Sequence, residues 1–258
     1  MKPRTEELLY LLLWGADHLA RPTFRNLTDS FESWAYKNGF LRQIQELEAR
    51  KILERKPGGT SEAIYRLSEN GRLIALGGRD PVAQWNRPWD GRWRMVLFDL
   101  PEAEASARVR LRRFLQGCGF GFLQNSVWIS PDPLSPITHE LSVHAEDVES
   151  LITLEARPAA GESDADIVAG SWNFEKINRL YERSSQILNQ LPTTKTKTGP
   201  SAEPLRRWAN QEKLAWQEAI FADPLLPDSL LPAGYLGKKT WAERSRVLAR
   251  AYHLIHSA

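Results

Sequence analysis

A single cysteine, Cys118, among 258 residues excludes an internal disulfide framework and fits a reducing compartment. Lying between Gly117 and Gly119, it reads as a small buried filler rather than a reactive thiol. An excess of one charge is also missing: 34 Lys and Arg stand against 32 Asp and Glu, a formal net charge of +2. A nucleic-acid partner must therefore be argued from where the arginines lie, not from the total. No apolar run approaches the ~20 residues of a membrane span. The opening Met1-Lys2-Pro3-Arg4-Thr5-Glu6-Glu7 leads into a short apolar run that Asp17 and His18 end, with no small-residue cleavage site as in a secretory signal. The expectation is a cytoplasmic protein with no membrane partner. Phosphate-cradling glycine loops and Gly-x-Ser-x-Gly elbows are absent, as is any repeat period. No spacing of Ser, His and Asp assembles a triad. His253 and His256 lie three apart without a third metal ligand nearby. The chain reads as a non-enzyme with no metal and no cofactor.

What is present is length and pattern. A chain of 258 residues exceeds one comfortable core, so two or three domains are expected. Residues 1–78 read as a compact helical unit with a hairpin. Thr5 can cap a helix carrying Leu8, Leu9, Leu11, Leu12, Leu13 and Leu19, with Glu6 and Glu7 well placed in its first turn. Thr28 or Asp29 can start a second, with Phe31, Trp34 and Ala35 on one face and Gly39 as its stop. A third runs from about residue 40 to 51, with Phe40, Leu41, Ile44 and Leu47 at helical spacing. Two β-prone runs then flank Pro57-Gly58-Gly59, a hairpin signal. Ser68 can cap a last short helix through Leu76. Three helices, hairpin, helix is the order of a winged helix-turn-helix.

Gly77-Gly78-Arg79-Asp80-Pro81 breaks the pattern and is the first linker candidate. Residues 85–160 then give strand 92–99, helix 103–116, a hairpin pivoting near Gln124-Asn125, helix 137–145 and strand 148–155. That βαββαβ order is the ferredoxin-like split motif. Residues 163–258 read as a helical domain: helix over 163–191, a flexible segment at 192–203, helix 204–221, a proline-punctuated turn, and helix 240–255. The fold class expected is α+β.

In a helix-turn-helix the second helix of the pair enters the major groove. Arg42, Gln43 and Gln45 have the chemistry to reach base edges there, Arg gripping guanine and Gln adenine. Arg50 flanks them, and Arg55, Lys56 and Arg66 on the hairpin would meet phosphate or the minor groove. A plain solvated helix face is the competing reading, and Glu46 and Glu48 weaken a simple basic patch. A second arginine group holds Arg92 and Arg94 on the first central strand and Arg108, Arg110, Arg112 and Arg113 on the helix after it. Guanidinium groups in such number suit phosphate recognition, so Arg92, Arg94, Arg108 and Arg112 are candidate effector contacts; pairing with nearby acids is the competing reading. Asp99 ends a central strand, where metal-binding acids often sit, but one carboxylate is not a metal site.

Three separated stretches carry a resemblance. Residues 89–102, with Trp89-Asp90-Gly91-Arg92-Trp93-Arg94 and Asp99-Leu100-Pro101-Glu102, go with residues 119–131. Ala165-Asp166-Ile167-Val168-Ala169-Gly170-Ser171-Trp172 runs on into Leu180-Tyr181, and Asp223-Pro224-Leu225-Leu226-Pro227-Asp228-Ser229-Leu230-Leu231-Pro232 follows. Together they resemble the PaaX-like family, the phenylacetate-catabolon repressors. The resemblance implies an N-terminal winged helix binding operator DNA as a homodimer, and a ferredoxin-like middle domain similar to the small nuclease subunit of CRISPR adaptation complexes. It also implies a helical C-terminal part and release from DNA by an acyl-coenzyme A thioester. The stretch Asn38-Gly39-Phe40-Leu41-Arg42-Gln43-Ile44-Gln45 is poorer in arginine and small residues than the family's pattern, so operator and effector do not carry over.

The expectation is a DNA-binding transcriptional regulator, a repressor of a catabolic operon released by a small acyl-CoA-type effector. Two readings compete with it: a metal-dependent nuclease of the CRISPR-adaptation type using Asp99, and a protein-interaction adaptor whose helical tail holds the partner.

Overall fold

The computed structural model describes residues 41–57, 63–75, 77–99, 105–124, 126–144, 150–159, 161–192 and 203–256. The two helices expected before residue 40 and the segment 193–202 lie outside the described residues. Compactness gathers the chain into two units that do not follow chain order. One holds the described residues up to Asp80 with Tyr181–Glu218 and those from Leu236 onward; the other holds Pro81–Leu180 and Ala219–Tyr235. Residues 163–258, expected as one helical domain, are thus divided between them.

In the first unit, helix α1 (Leu41–Ala49) is followed by strands β1 (Leu53–Pro57) and β2 (Ala63–Leu67) and by helix α2 (Glu69–Ala75). β1 and β2 pair antiparallel from Leu53 opposite Leu67 to Pro57 opposite Ala63. Helix, hairpin and helix therefore stand in the expected order.

The second unit opens with a short helix α3 (Pro81–Trp85) where only a linker was expected. Pro81 supplies the fixed φ of a first helical position, and Trp85 is buried. Then come β3 (Trp93–Asp99), α4 (Ala105–Gly117), β4 (Gly121–Gln124), β5 (Val127–Ser130), α5 (Thr138–His144) and β6 (Ser150–Ala156). The sheet order is β4-β5-β3-β6, every neighbour antiparallel. That is the strand order of a split βαββαβ unit.

Alternation along β3 builds two cores, one on each face of the sheet. Val96 and Phe98 pack with Ala107, Leu111 and Leu115 of α4, Leu141 of α5, Phe120 and Trp128. Trp93, Ile129, Val168, Leu226 and Leu230 form the core of the opposite face. Val168 belongs to α6 (Asp164–Ser171), which Ser163 caps by accepting from the Asp166 amide at 3.2 Å.

The continuous helix expected over 163–191 is interrupted. Trp172 is extended (φ −130°, ψ 139°) between α6 and α7 (Phe174–Leu188). Its indole donates to the Gly119 carbonyl at 3.2 Å, and Asn173 accepts from the Lys176 amide at 2.8 Å to start the next helix. A tertiary bond and a local cap thus win over helical periodicity. The last two helices are α8 (Glu203–Ala222) and α9 (Gly237–His256). Between them, Asp223 is a buried carboxylate that accepts from the Leu225 amide at 2.8 Å and from the Tyr235 hydroxyl. Tyr235 in turn accepts from the Trp85 indole at 3.0 Å.

Candidate nucleic-acid interface

Helix α1 owes its orientation to Ile44 and Leu47, three apart and both buried. Arg42 and Gln45 are left exposed on the other side, with Gln43 half-buried. The helix ends before residue 51 for a local reason. Lys51 takes the left-handed conformation (φ 55°), its amide donating to Glu48 at 2.9 Å and the next amide, of Ile52, reaching back to Leu47 at 2.9 Å. This is a Schellman closure, with lysine where glycine is usual. Arg50 is exposed and lies 3.4 Å from Glu46 one turn back, a solvent-screened pair worth little.

The chain then enters β1 through Ile52 and Leu53, both buried. Ser68 ties the far end of the hairpin to the same place. Its amide donates to the Ile52 carbonyl at 2.9 Å and its hydroxyl to the Lys51 carbonyl at 2.8 Å. The same oxygen accepts from the Gly71 amide at 2.9 Å, making Ser68 the cap of α2 as expected. Gly71 sits so close that a Cβ there would lie 2.1 Å from the Ile52 carbonyl oxygen. On the hairpin, Arg55 is exposed and stands opposite Tyr65. Lys56 stands opposite Ile64 and Arg66 opposite Glu54.

The second arginine group does not converge. Arg94, only 6% exposed at its side chain, forms a two-bonded pair with Asp90 at 2.6 and 2.7 Å. It also donates to the carbonyls of Arg92 and Pro131 at 3.0 and 3.1 Å, and Glu155 lies 3.4 Å away. The Arg94 hydrogen bond holds the Asp90 carboxyl down at about 2. Arg92 pairs with Glu155 at 2.9 Å, and this bond lowers the Glu155 carboxyl below its usual range. Arg92 is thus held on the β6 side of the sheet, whereas Arg94 reaches both Glu155 of β6 and Pro131 just after β5. Arg112 instead lies over the ring of Phe122 on β4, 5.9 Å from its centroid, at the other edge. Arg108 is half-buried on the same helix. A shallow open hollow is lined by Ser106, Val109, Arg110, Arg113, Phe114 and His144, with neither Arg108 nor Arg112 in its lining.

Asp99 is exposed opposite Ser150. Among the described residues no three His, Cys, Asp or Glu side chains gather as metal ligands. Cys118 is half-buried, and burial pushes its thiol up, away from thiolate chemistry. No helix among the described residues is long and apolar enough to cross a membrane.

One buried pair escaped the sequence reading. Glu212 of α8 accepts from Arg244 of α9 at 2.7 Å, both fully buried. The guanidinium lies 4.7 Å from the Trp216 ring centre and 5.8 Å from that of Trp241. Burial pushes the Glu212 carboxyl up, with Arg244 pulling against it. The available signal was an acid at a core position of a helix rich in tryptophan.

Residues 86–168 match the family profile described as the PaaX protein central Cas2-like domain. Residues 172–254 match that of the PaaX-like protein C-terminal domain. The chain belongs to the PaaX-like family. A relative within reach is the transcriptional repressor PaaX of Escherichia coli (strain K12), 26% identical over 181 residues. That alignment takes in 68% of this chain and 57% of the repressor, so the chain matches little more than half the relative's length. Among solved structures, an uncharacterized protein from Mycobacterium tuberculosis is similar over 95% of both chains, with 25% identity and a TM-score of 0.51. The family's central domain coincides with the βαββαβ unit, and its C-terminal domain with the segment from Trp172 through α9.

Proposed function

We propose that this protein is a DNA-binding transcriptional regulator, a repressor of a catabolic operon that works as a homodimer and is released by a small acyl-CoA-type effector. The observation that carries the reading is the exposed Arg42 and Gln45 on a helix tied at its base to a hairpin, in a chain of the PaaX-like family. The similarity to a transcriptional repressor supports the direction of control. Arg42, Gln43 and Gln45 are the base readers, while Arg50, Arg55, Lys56 and Arg66 meet phosphate. A homodimer places two such heads on the half-sites of a palindrome, one or more helical turns apart. Of the candidate effector anchors, Arg108 and Arg112 are half-buried and Arg92 is exposed. Arg92 and Arg94 are engaged with Glu155 and Asp90 and are not gathered with Arg112, which lies over Phe122.

The test is a gel shift on the DNA upstream of the protein's own coding sequence, with and without a panel of coenzyme A thioesters. A specific complex dissolved by one thioester is the expected result; no shift at low salt overturns the reading. Arg42→Ala is expected to cost about 1–3 kcal/mol at one base position and to relax preference there. Equal loss on operator and random duplex contradicts base readout by Arg42.

A further inference from the structure

Helix α9 (Gly237–His256) carries five cations, Lys238, Lys239, Arg244, Arg246 and Arg250, and one carboxylate, Glu243. The fold withdraws two of these charges from the surface. Arg244 is fully buried against Glu212. Glu243 is half-buried and held to α7, accepting from the Ser185 hydroxyl at 2.8 Å. What α9 shows to water is therefore cationic: Lys238, Lys239, Arg246 and Arg250 are all exposed.

Three of them form a line. At 3.6 residues per turn, positions 239, 246 and 250 fall within about 40° of one another around the helix. With a rise of 1.5 Å per residue they extend over roughly 17 Å of its length. Among the described residues none of the three pairs with a carboxylate; Arg246 donates to the Ala242 carbonyl of its own helix at 3.2 Å. The exposed arginines of α7 are held differently, Arg179 by Glu175 and Arg183 by Glu218 at 3.0 Å.

Helix formation gives no reason for this line. Lys238 and Lys239 occupy the first turn, where the helix dipole favours acids and disfavours cations. Arg246 and Arg250, four apart, repel one another along the helix. An anion lying along α9 relieves both. Its chemistry follows from what the line lacks. None of the large apolar side chains exposed among the described residues lies on α9. A protein partner needs aromatic or aliphatic anchors, and a membrane surface needs an apolar face. A nucleic-acid backbone needs only cations along its length, and over roughly 17 Å of duplex one strand presents about five phosphates. The segment from Leu236 onward also belongs to the same compact unit as α1 and its hairpin.

We propose that Lys239, Arg246 and Arg250 are a second contact with duplex DNA, binding phosphates along one strand without reading sequence. The inference rests on the DNA-binding reading above and extends it from the head to α9. It gives this helix a share in affinity, while specificity stays with Arg42, Gln43 and Gln45.

The full chain tests it, on the duplex upstream of its own coding sequence and on a random duplex of equal length. Lys239→Gln, Arg246→Gln and Arg250→Gln together are expected to weaken both complexes roughly tenfold or more. The same variant is expected to shallow the slope of log K against log salt by about two to three. Unchanged circular dichroism and melting separate this loss from misfolding, all three side chains being exposed. Lys239→Arg with Arg246→Lys and Arg250→Lys is expected to keep the parent's slope, since the contact is one of charge. Lys176→Gln with Arg179→Gln and Arg183→Gln removes as many cations from α7 and is expected to leave the slope nearly unchanged. A folded α9 variant with the parent's slope, or an α7 variant that shallows it as much, overturns the inference and leaves the DNA reading standing. So does an α9 variant that keeps both duplexes but loses poly-glutamate, which marks an acidic protein as the partner. No binding of either duplex by the unmodified chain at low salt overturns the DNA reading itself.

Discussion

Arg94 and Arg244 are buried guanidiniums held in different ways. Arg94 reaches from a sheet to Asp90, a surface carboxylate half in water. Arg244 meets Glu212 where neither side chain touches solvent. Breaking such an enclosed pair leaves a bare charge, which costs about 3–5 kcal/mol, whereas replacing both partners with apolar groups of similar size is often tolerated. Glu212→Gln is therefore expected to lower stability in urea by about that amount, and Glu212→Leu with Arg244→Met to lose less than the single change. A double variant as unstable as the sum of its parts contradicts the pair's role. Spacing alone exposed the candidates Arg42 and Gln45 and the cap at Ser68, since helical periodicity and capping chemistry are local. It did not reveal that Arg94 is enclosed, because the partners Asp90, Pro131 and Glu155 are brought together by folding.

Elements were legible where their signals are short-ranged. The hairpin around Pro57-Gly58-Gly59 and the βαββαβ order could be read from alternation and turn residues. The break at Trp172 could not, because it depends on a bond to Gly119, 53 positions away. The short helix at Pro81 was hidden by the glycines before it. The packing of α6 against β4 depends on one residue: a Cβ on Gly121 would lie 2.6 Å from the Trp172 ring and 2.7 Å from the Ser171 Cβ. Gly121→Ala is expected to destabilise the protein by about 1–3 kcal/mol through overpacking. Gly170, inside α6 with open space around it, provides the contrast, since Gly170→Ala is expected to stabilise by about 0.5–1 kcal/mol. Thermal melts of the two variants shifting in the same direction would contradict this assignment of tight and open sites.

For the whole molecule, charge and chain order matter most. A net charge of +2 supplies little general attraction to DNA, so binding to phosphate has to come from a few local cations. Lys56→Ala is expected to weaken operator and random duplex alike and to shallow the slope of log K against log salt by about one. An unchanged slope removes Lys56 from the phosphate contacts. The grouping of residues up to Asp80 with Tyr181–Glu218 and the segment from Leu236 was beyond a reading along the chain, which divides a sequence only where its composition changes. A fragment ending near residue 80 therefore omits chain segments of its own compact unit, and DNA-binding assays are better made on the full chain.

The knot at Ser68 has a consequence for how such a head adapts. Ser68 bonds the carbonyls of Lys51 and Ile52, and Gly71 leaves no room above Ile52. The start of the hairpin and the end of the helix are thereby fastened at one point. If the head reads DNA as proposed, this joint is expected to resist widening to suit a differently shaped groove. In the DNA-binding reading proposed above, duplexes whose own flexibility brings the phosphates to such a head are expected to bind better, so that stiffness of the DNA becomes part of what is read.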